Sequence, residues 1–65
     1  MKLNEFIKNH YDDYAYLEKS NGGHICDMMI KFLPYWVLVT YGECEIDFQC
    51  LQHGCYNVYK IIVQE

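Results

Sequence analysis

Sixty-five residues carry 52% hydrophobic and 17% aromatic side chains, nine carboxylates against five lysines, no arginine, and a formal net charge of −4. A chain this short buries only about 60% of the surface its unfolded form exposes, but large aromatic side chains compensate, and the composition argues for an ordered domain over a disordered tail. The acidic balance and the lack of arginine speak against direct nucleic-acid binding and anionic membrane surfaces, and make a basic protein surface the natural partner.

No run of 18 apolar residues is present, so no membrane helix is expected. The opening "MKLNEFIKNHYDD" has no apolar signal-peptide core, which leads to the expectation of a cytoplasmic protein whose four cysteines are reduced thiols. Residues 1–65 read as one domain without repeats or linkers.

In chain order, Leu3, Phe6, Ile7, His10, Tyr11, Tyr14 and Leu17 follow a helical stripe and predict a first helix over about 3–19. Asn4 suits its N-cap, and "SNGG" at 20–23 suits its end. Ile25, Met28, Met29 and Phe32 repeat the stripe and predict a second helix over about 24–33, stopped by Pro34, with a strand as the competing reading. From Tyr35 the aromatic and β-branched content predicts strands over about 35–41, 44–51 and 55–63, with Gly42-Glu43 as a hairpin turn. The expected fold is α+β: two helices on one face of a three-stranded antiparallel meander.

Alternation then divides the faces. With a turn at Gly42-Glu43, Tyr41, Val39, Val37 and Tyr35 pair with Cys44, Ile46, Phe48 and Cys50, an apolar set facing the helices. Pairing Cys50 with Cys55 sets Asn57, Tyr59 and Ile61 opposite Phe48, Ile46 and Cys44, and brings Lys60 to Glu45 on the other face. Asn57 is the awkward member of the inward set.

The chemistry-bearing residues are sparse. Cys26, Cys50, His53 and Cys55 are the candidate zinc ligands, but no C-x-x-C pair exists, and small buried thiols are the plainer reading. No cofactor is expected. Ser20 and Thr40, the only hydroxyl nucleophiles of their kinds, have no base and orienting carboxylate near them in sequence, and the paired acids read as solvated faces. The chain is not expected to be an enzyme. A thiol redox sensor would need an exposed cysteine of low pKa, which the sequence does not single out.

What remains is a surface. Trp36, Leu38, Tyr56 and Val58, ringed by Glu45, Asp47 and Gln49, have the composition of a protein-binding patch, and Asp12 and Asp13 add acids from the first helix. In length, acidity and its Tyr/Lys/Asn-rich, arginine-free make-up, the chain resembles small proteins of bacteriophages and mobile elements from low-GC bacteria. That resemblance implies a stoichiometric inhibitor in the host cytoplasm, blocking a defence or nucleic-acid enzyme such as a CRISPR-Cas nuclease. The expectation is therefore a non-enzymatic module that occludes a larger host protein. The alternative is a small homodimeric or zinc-stabilised structural domain.

Overall fold

The computed structural model describes residues 1–65 and runs α1 (Leu3–Asn9), β1 (Tyr14–Lys19), β2 (His24–Met29), a 3-10 turn (Ile30–Phe32), α2 (Tyr35–Tyr41), β3 (Glu45–Gln52) and β4 (Val58–Gln64). The class is α+β, with both helices contributing to one core, but the sheet is four-stranded and mixed, in the order β2-β1-β4-β3. The two central strands, β1 and β4, are parallel, and each carries an antiparallel partner at its outer edge. No helix is long and apolar enough to cross a membrane.

The first expected helix ends ten residues early, at Asn9. Residues 14–19 satisfy both periods: the 3.6-residue stripe runs through Tyr14 and Leu17, while alternation puts Ala15 and Leu17 inside and Tyr14, Tyr16 and Glu18 outside. Asp12 and Asp13 decide between them, because short polar side chains compete locally for the backbone. The Asp13 N–H donates to the His10 carbonyl at 3.0 Å, turning the chain, and the next residues gain a full ladder on β4.

The expected helix over 24–33 is a strand followed by one 3-10 turn. "SNGG" is a hairpin loop and not a helix end. Gly22 takes a positive φ of 91°, Lys19 donates to the Gly23 carbonyl at 2.7 Å, and Asn21 Oδ1 accepts from the Gly23 N–H at 2.9 Å. The residues that would cap a helix thus close the β1–β2 pair.

The strand expected over 35–41 is α2. Trp36 and Leu38 are as apolar as Tyr35, Val37 and Val39, so this run has no true alternation, and a short continuous apolar run fits either element. Pro34 settles it: its φ of −68° suits the start of a helix, and it lacks the N–H that a helix start would leave unpaired. Val37 and Tyr41, four residues apart, are then both buried.

Gly42 follows in right-handed geometry, so it is no hairpin glycine. Close approach requires it. A Cβ there would collide with the Leu38 carbonyl and lie 2.6 Å from the side chain of Asn4. Its carbonyl accepts the Asn4 N–H at 2.9 Å, and the Cys44 carbonyl accepts the Leu3 N–H at 3.1 Å, so the α2–β3 turn caps α1.

The β3–β4 hairpin is as expected in type, but its register differs by four residues: Cys50 faces Tyr59, Phe48 faces Ile61 and Ile46 faces Val63. An even shift leaves every side chain on its expected face. Ile46, Tyr59, Ile61 and Val63 join Leu3, Phe6, Ala15, Leu17, Ile30, Val37 and Tyr41 in one buried cluster. Asn57 leaves the strand, and Lys60 meets Gln49, with its ammonium 3.5 Å from Glu18 and not at Glu45.

Candidate protein-docking surfaces

With Val37 and Tyr41 turned into the core, the opposite side of α2 has nothing over it. Phe32 (67% exposed), Tyr35 (80%), Trp36 (54%) and Val39 (66%) lie on or beside that side. Tyr35, Trp36 and Val39 share one side of α2, and Phe32 stands beside them at the end of the 3-10 turn, across the extended Leu33-Pro34 step. Large apolar groups clustered in this way are unusual on a small protein surface, where single exposed ones are ordinary. Lys31 lies 5.6 Å from the Phe32 ring centre and 3.9 Å from Asp12, which places a charged rim beside the cluster.

The second surface is the face of the sheet that the helices leave bare. Across it run Tyr16, Lys60 and Gln49 in one row and Glu18, Ile62 and Asp47 in the next. Its polar groups are mostly matched to each other: Gln64 Nε2 donates to Asp47 at 2.7 Å, and the Tyr14 hydroxyl donates to Asp27 at 3.3 Å. Desolvation, with the Asp27 charge beside it, holds the Tyr14 phenol above its usual range. A shallow depression of about 200 Å³ lies among Asp47, Phe48, Gln49, Lys60 and Ile62.

The expected patch therefore divides. Glu45, Asp47 and Gln49 are exposed on the bare face, with Val58 half-buried beside them and Tyr56 exposed in the 53–57 loop. Trp36 is exposed on α2, on the helix side of the sheet, away from those acids. Leu38 is half-buried and lines an open groove of about 510 Å³ between α1 and α2, with Ile7, Lys8 and Glu43. Asp12 is exposed at the edge of the apolar cluster, whereas Asp13 is largely covered and bonded inside the fold. The sequence does not single out Phe32, Tyr35 and Val39 as surface residues: a strand over 35–41 turns Tyr35 and Val39 inward, whereas α2 leaves them outside.

Of the four zinc candidates, Cys50 and His53 come together, with Sγ to Nε2 at 3.6 Å. Cys26 lies on β2, at the far edge of the sheet, and burial, aided by the Asp27 charge, pushes its thiol pKa up. No three His, Cys, Asp or Glu side chains converge closely enough to hold a metal ion.

Glu43 in the α1–α2 groove accepts from Lys2 Nζ at 3.2 Å and from Asn4 Nδ2 at 3.1 Å. These bonds, the lysine's first, hold its carboxyl below the usual range. A folded-state pKa below the unfolded one stabilises the fold above the unfolded value, and that stabilisation is lost as pH falls through the folded one. The urea midpoint of the native chain is expected to fall more steeply than that of Glu43→Gln between about pH 5 and 3, and parallel curves would contradict this.

No known protein family, curated protein or solved structure matches the chain.

Proposed function

We propose that this chain is a non-enzymatic binding module that lays the exposed side of α2, with Phe32 just before it, into an apolar groove of a larger protein and blocks that surface by occlusion. The observation that carries this reading is the exposed apolar cluster itself: Tyr35, Trp36 and Val39 on one side of α2 and Phe32 beside them, all more than half exposed. An amphipathic helix fills a groove with such a side. Tryptophan and tyrosine are favoured anchors, since they bring much rigid area to a contact. A net charge of −4, with Asp12 at the edge of the cluster, complements a groove with a basic rim. A basic groove is typical of enzymes that handle nucleic acid, which agrees with the inhibitor role implied by the chain's likeness in composition to small phage and mobile-element proteins.

The test compares three variants. Trp36→Ala and Tyr35→Ala are each expected to weaken capture of one and the same partner about 30-fold, as loss of roughly 2 kcal/mol at a hot spot would. Asp47→Lys, on the bare sheet face, should leave capture unchanged. All three should keep the native circular dichroism spectrum, because none of the three side chains is buried. Loss on Asp47→Lys with retention on Trp36→Ala would move the docking surface to the sheet. A dimer in native mass spectrometry, abolished by Trp36→Ala, would show that the cluster meets a second copy instead.

A further inference from the structure

The β3–β4 loop gathers a thiol, an imidazole and an amide that the docking surface does not use. Cys50, half-buried near the end of β3, has its sulfur 3.6 Å from His53 Nε2 and 3.7 Å from Nδ1. His53 Nδ1 lies 3.2 Å from Asn57 Oδ1, which can only accept, so Nδ1 carries the proton. In the neutral ring that leaves the lone pair on Nε2, 3.6 Å from the sulfur. A nucleophile beside a base is the arrangement that activates cysteine. The Gln52 carbonyl, 3.5 Å from the same sulfur, can also accept the thiol proton but cannot carry it away. The sulfur is nearly equidistant from both ring nitrogens and so lies off the in-plane Nε2 lone pair; a turn about the His53 Cβ–Cγ bond, which gives up the Asn57 contact, brings that lone pair to the sulfur.

We propose that Cys50 is a modification site that undergoes thiol–disulfide exchange with a low-molecular-weight disulfide of the glutathione class. His53 Nε2 takes the thiol proton, and the Cys50 thiolate attacks one sulfur of the disulfide. A new S–S bond forms to Cys50 as the reagent's S–S bond breaks. The departing thiolate takes the proton from His53 and leaves as free thiol. The Cys50 sulfur is oxidised, the departing sulfur is reduced, and no further oxidant is needed.

The other cysteines make the proposal sharp. Cys55 is exposed, five residues away, with no base in contact with its sulfur. Exposure alone would make Cys55 react first, whereas activation makes Cys50 react first. Cys26, partly covered by the core, should be slow.

The reduced chain would be mixed with oxidised glutathione, quenched with acid over time, and its adducts placed by peptide mass mapping. The expected result is that Cys50 is modified ahead of Cys55. His53→Ala should slow the Cys50 adduct about tenfold and leave the Cys55 rate alone. His53 is exposed in a loop, so this variant keeps its fold, and an unchanged circular dichroism spectrum checks that. Mapping in Cys55→Ser removes exchange between the two thiols, and Cys50 should react there at its native rate. Modification of Cys55 first, equal rates at the two cysteines, or a Cys50 rate unmoved by His53→Ala would each overturn the proposal.

Discussion

Truncating Phe6 to alanine is expected to cost about 3–5 kcal/mol and remove about a third or more of the fold's total stability. Phe6 is fully buried on α1, and its ring meets three others: His10 stacked at 4.0 Å, Phe48 at 4.8 Å and Tyr59 edge-on at 5.1 Å. Alanine would remove all three ring contacts and open a cavity that a seven-residue helix, tied down by the Gly42 and Cys44 carbonyls, has little freedom to fill. Such a loss matters here because 65 residues at about 0.05–0.15 kcal/mol each give a total stability of only roughly 3–10 kcal/mol. Phe6→Leu keeps most of the volume and should cost less than half as much. Urea unfolding should be followed by far-UV circular dichroism, since Trp36 is already exposed and its emission would change little. A loss below about 1 kcal/mol for Phe6→Ala would show that α1 is not docked on the sheet as described.

The same contacts explain which parts of the fold could be read from the sequence. The faces of β3 and β4 were legible because alternation survives any even shift of register. Placing Cys50 opposite Cys55, where the true partner is Tyr59, still turned Ile46, Tyr59 and Ile61 inward and Glu45, Asp47 and Gln49 outward. The register was not legible, because the two hairpin ends carry no pattern that separates a four-residue connection from the longer loop. The N-terminal half was misread for a different reason. Its segments satisfy two periods at once, so the decision passed to partners distant in sequence: β4 lies more than forty residues from the β1 it pairs with in parallel. The exposed apolar side of α2 is half legible: the chemistry of Trp36 marks it for a surface, but a strand over 35–41 places it on the sheet, among acids it does not meet.

Asp13 shows how an acid that looks like surface can be structural. Its replacement by alanine is expected to cost about 2 kcal/mol, within the range for hydrogen bonds to charged groups. Asp13 Oδ1 accepts the Asn57 N–H at 2.9 Å, and His10 Nδ1 donates to Oδ2 at 3.2 Å. The Asp13 carbonyl accepts the Ile30 N–H at 2.8 Å, and the neighbouring Tyr14 N–H donates to the Asn57 carbonyl at 2.9 Å. One carboxylate thus joins the end of α1 to the start of β4, where the central parallel pair begins, and its side chain is only 17% exposed. Alanine would leave the part-buried Asn57 N–H without its partner. Asparagine keeps one oxygen for that N–H but loses the charge and the His10 bond, so Asp13→Asn should fall about midway. Asp12, its neighbour, is 89% exposed and its contact with the Lys31 ammonium is long, at 3.9 Å, so Asp12→Ala should change stability by less than about 0.5 kcal/mol. The same pair separates fold from function. Asp13→Ala should lower the folded fraction without changing the affinity of the molecules that remain folded, while Asp12→Ala should leave stability intact and slow association with a basic partner. If Asp12→Ala proved the more destabilising of the two in urea, the junction assigned to Asp13 would be wrong.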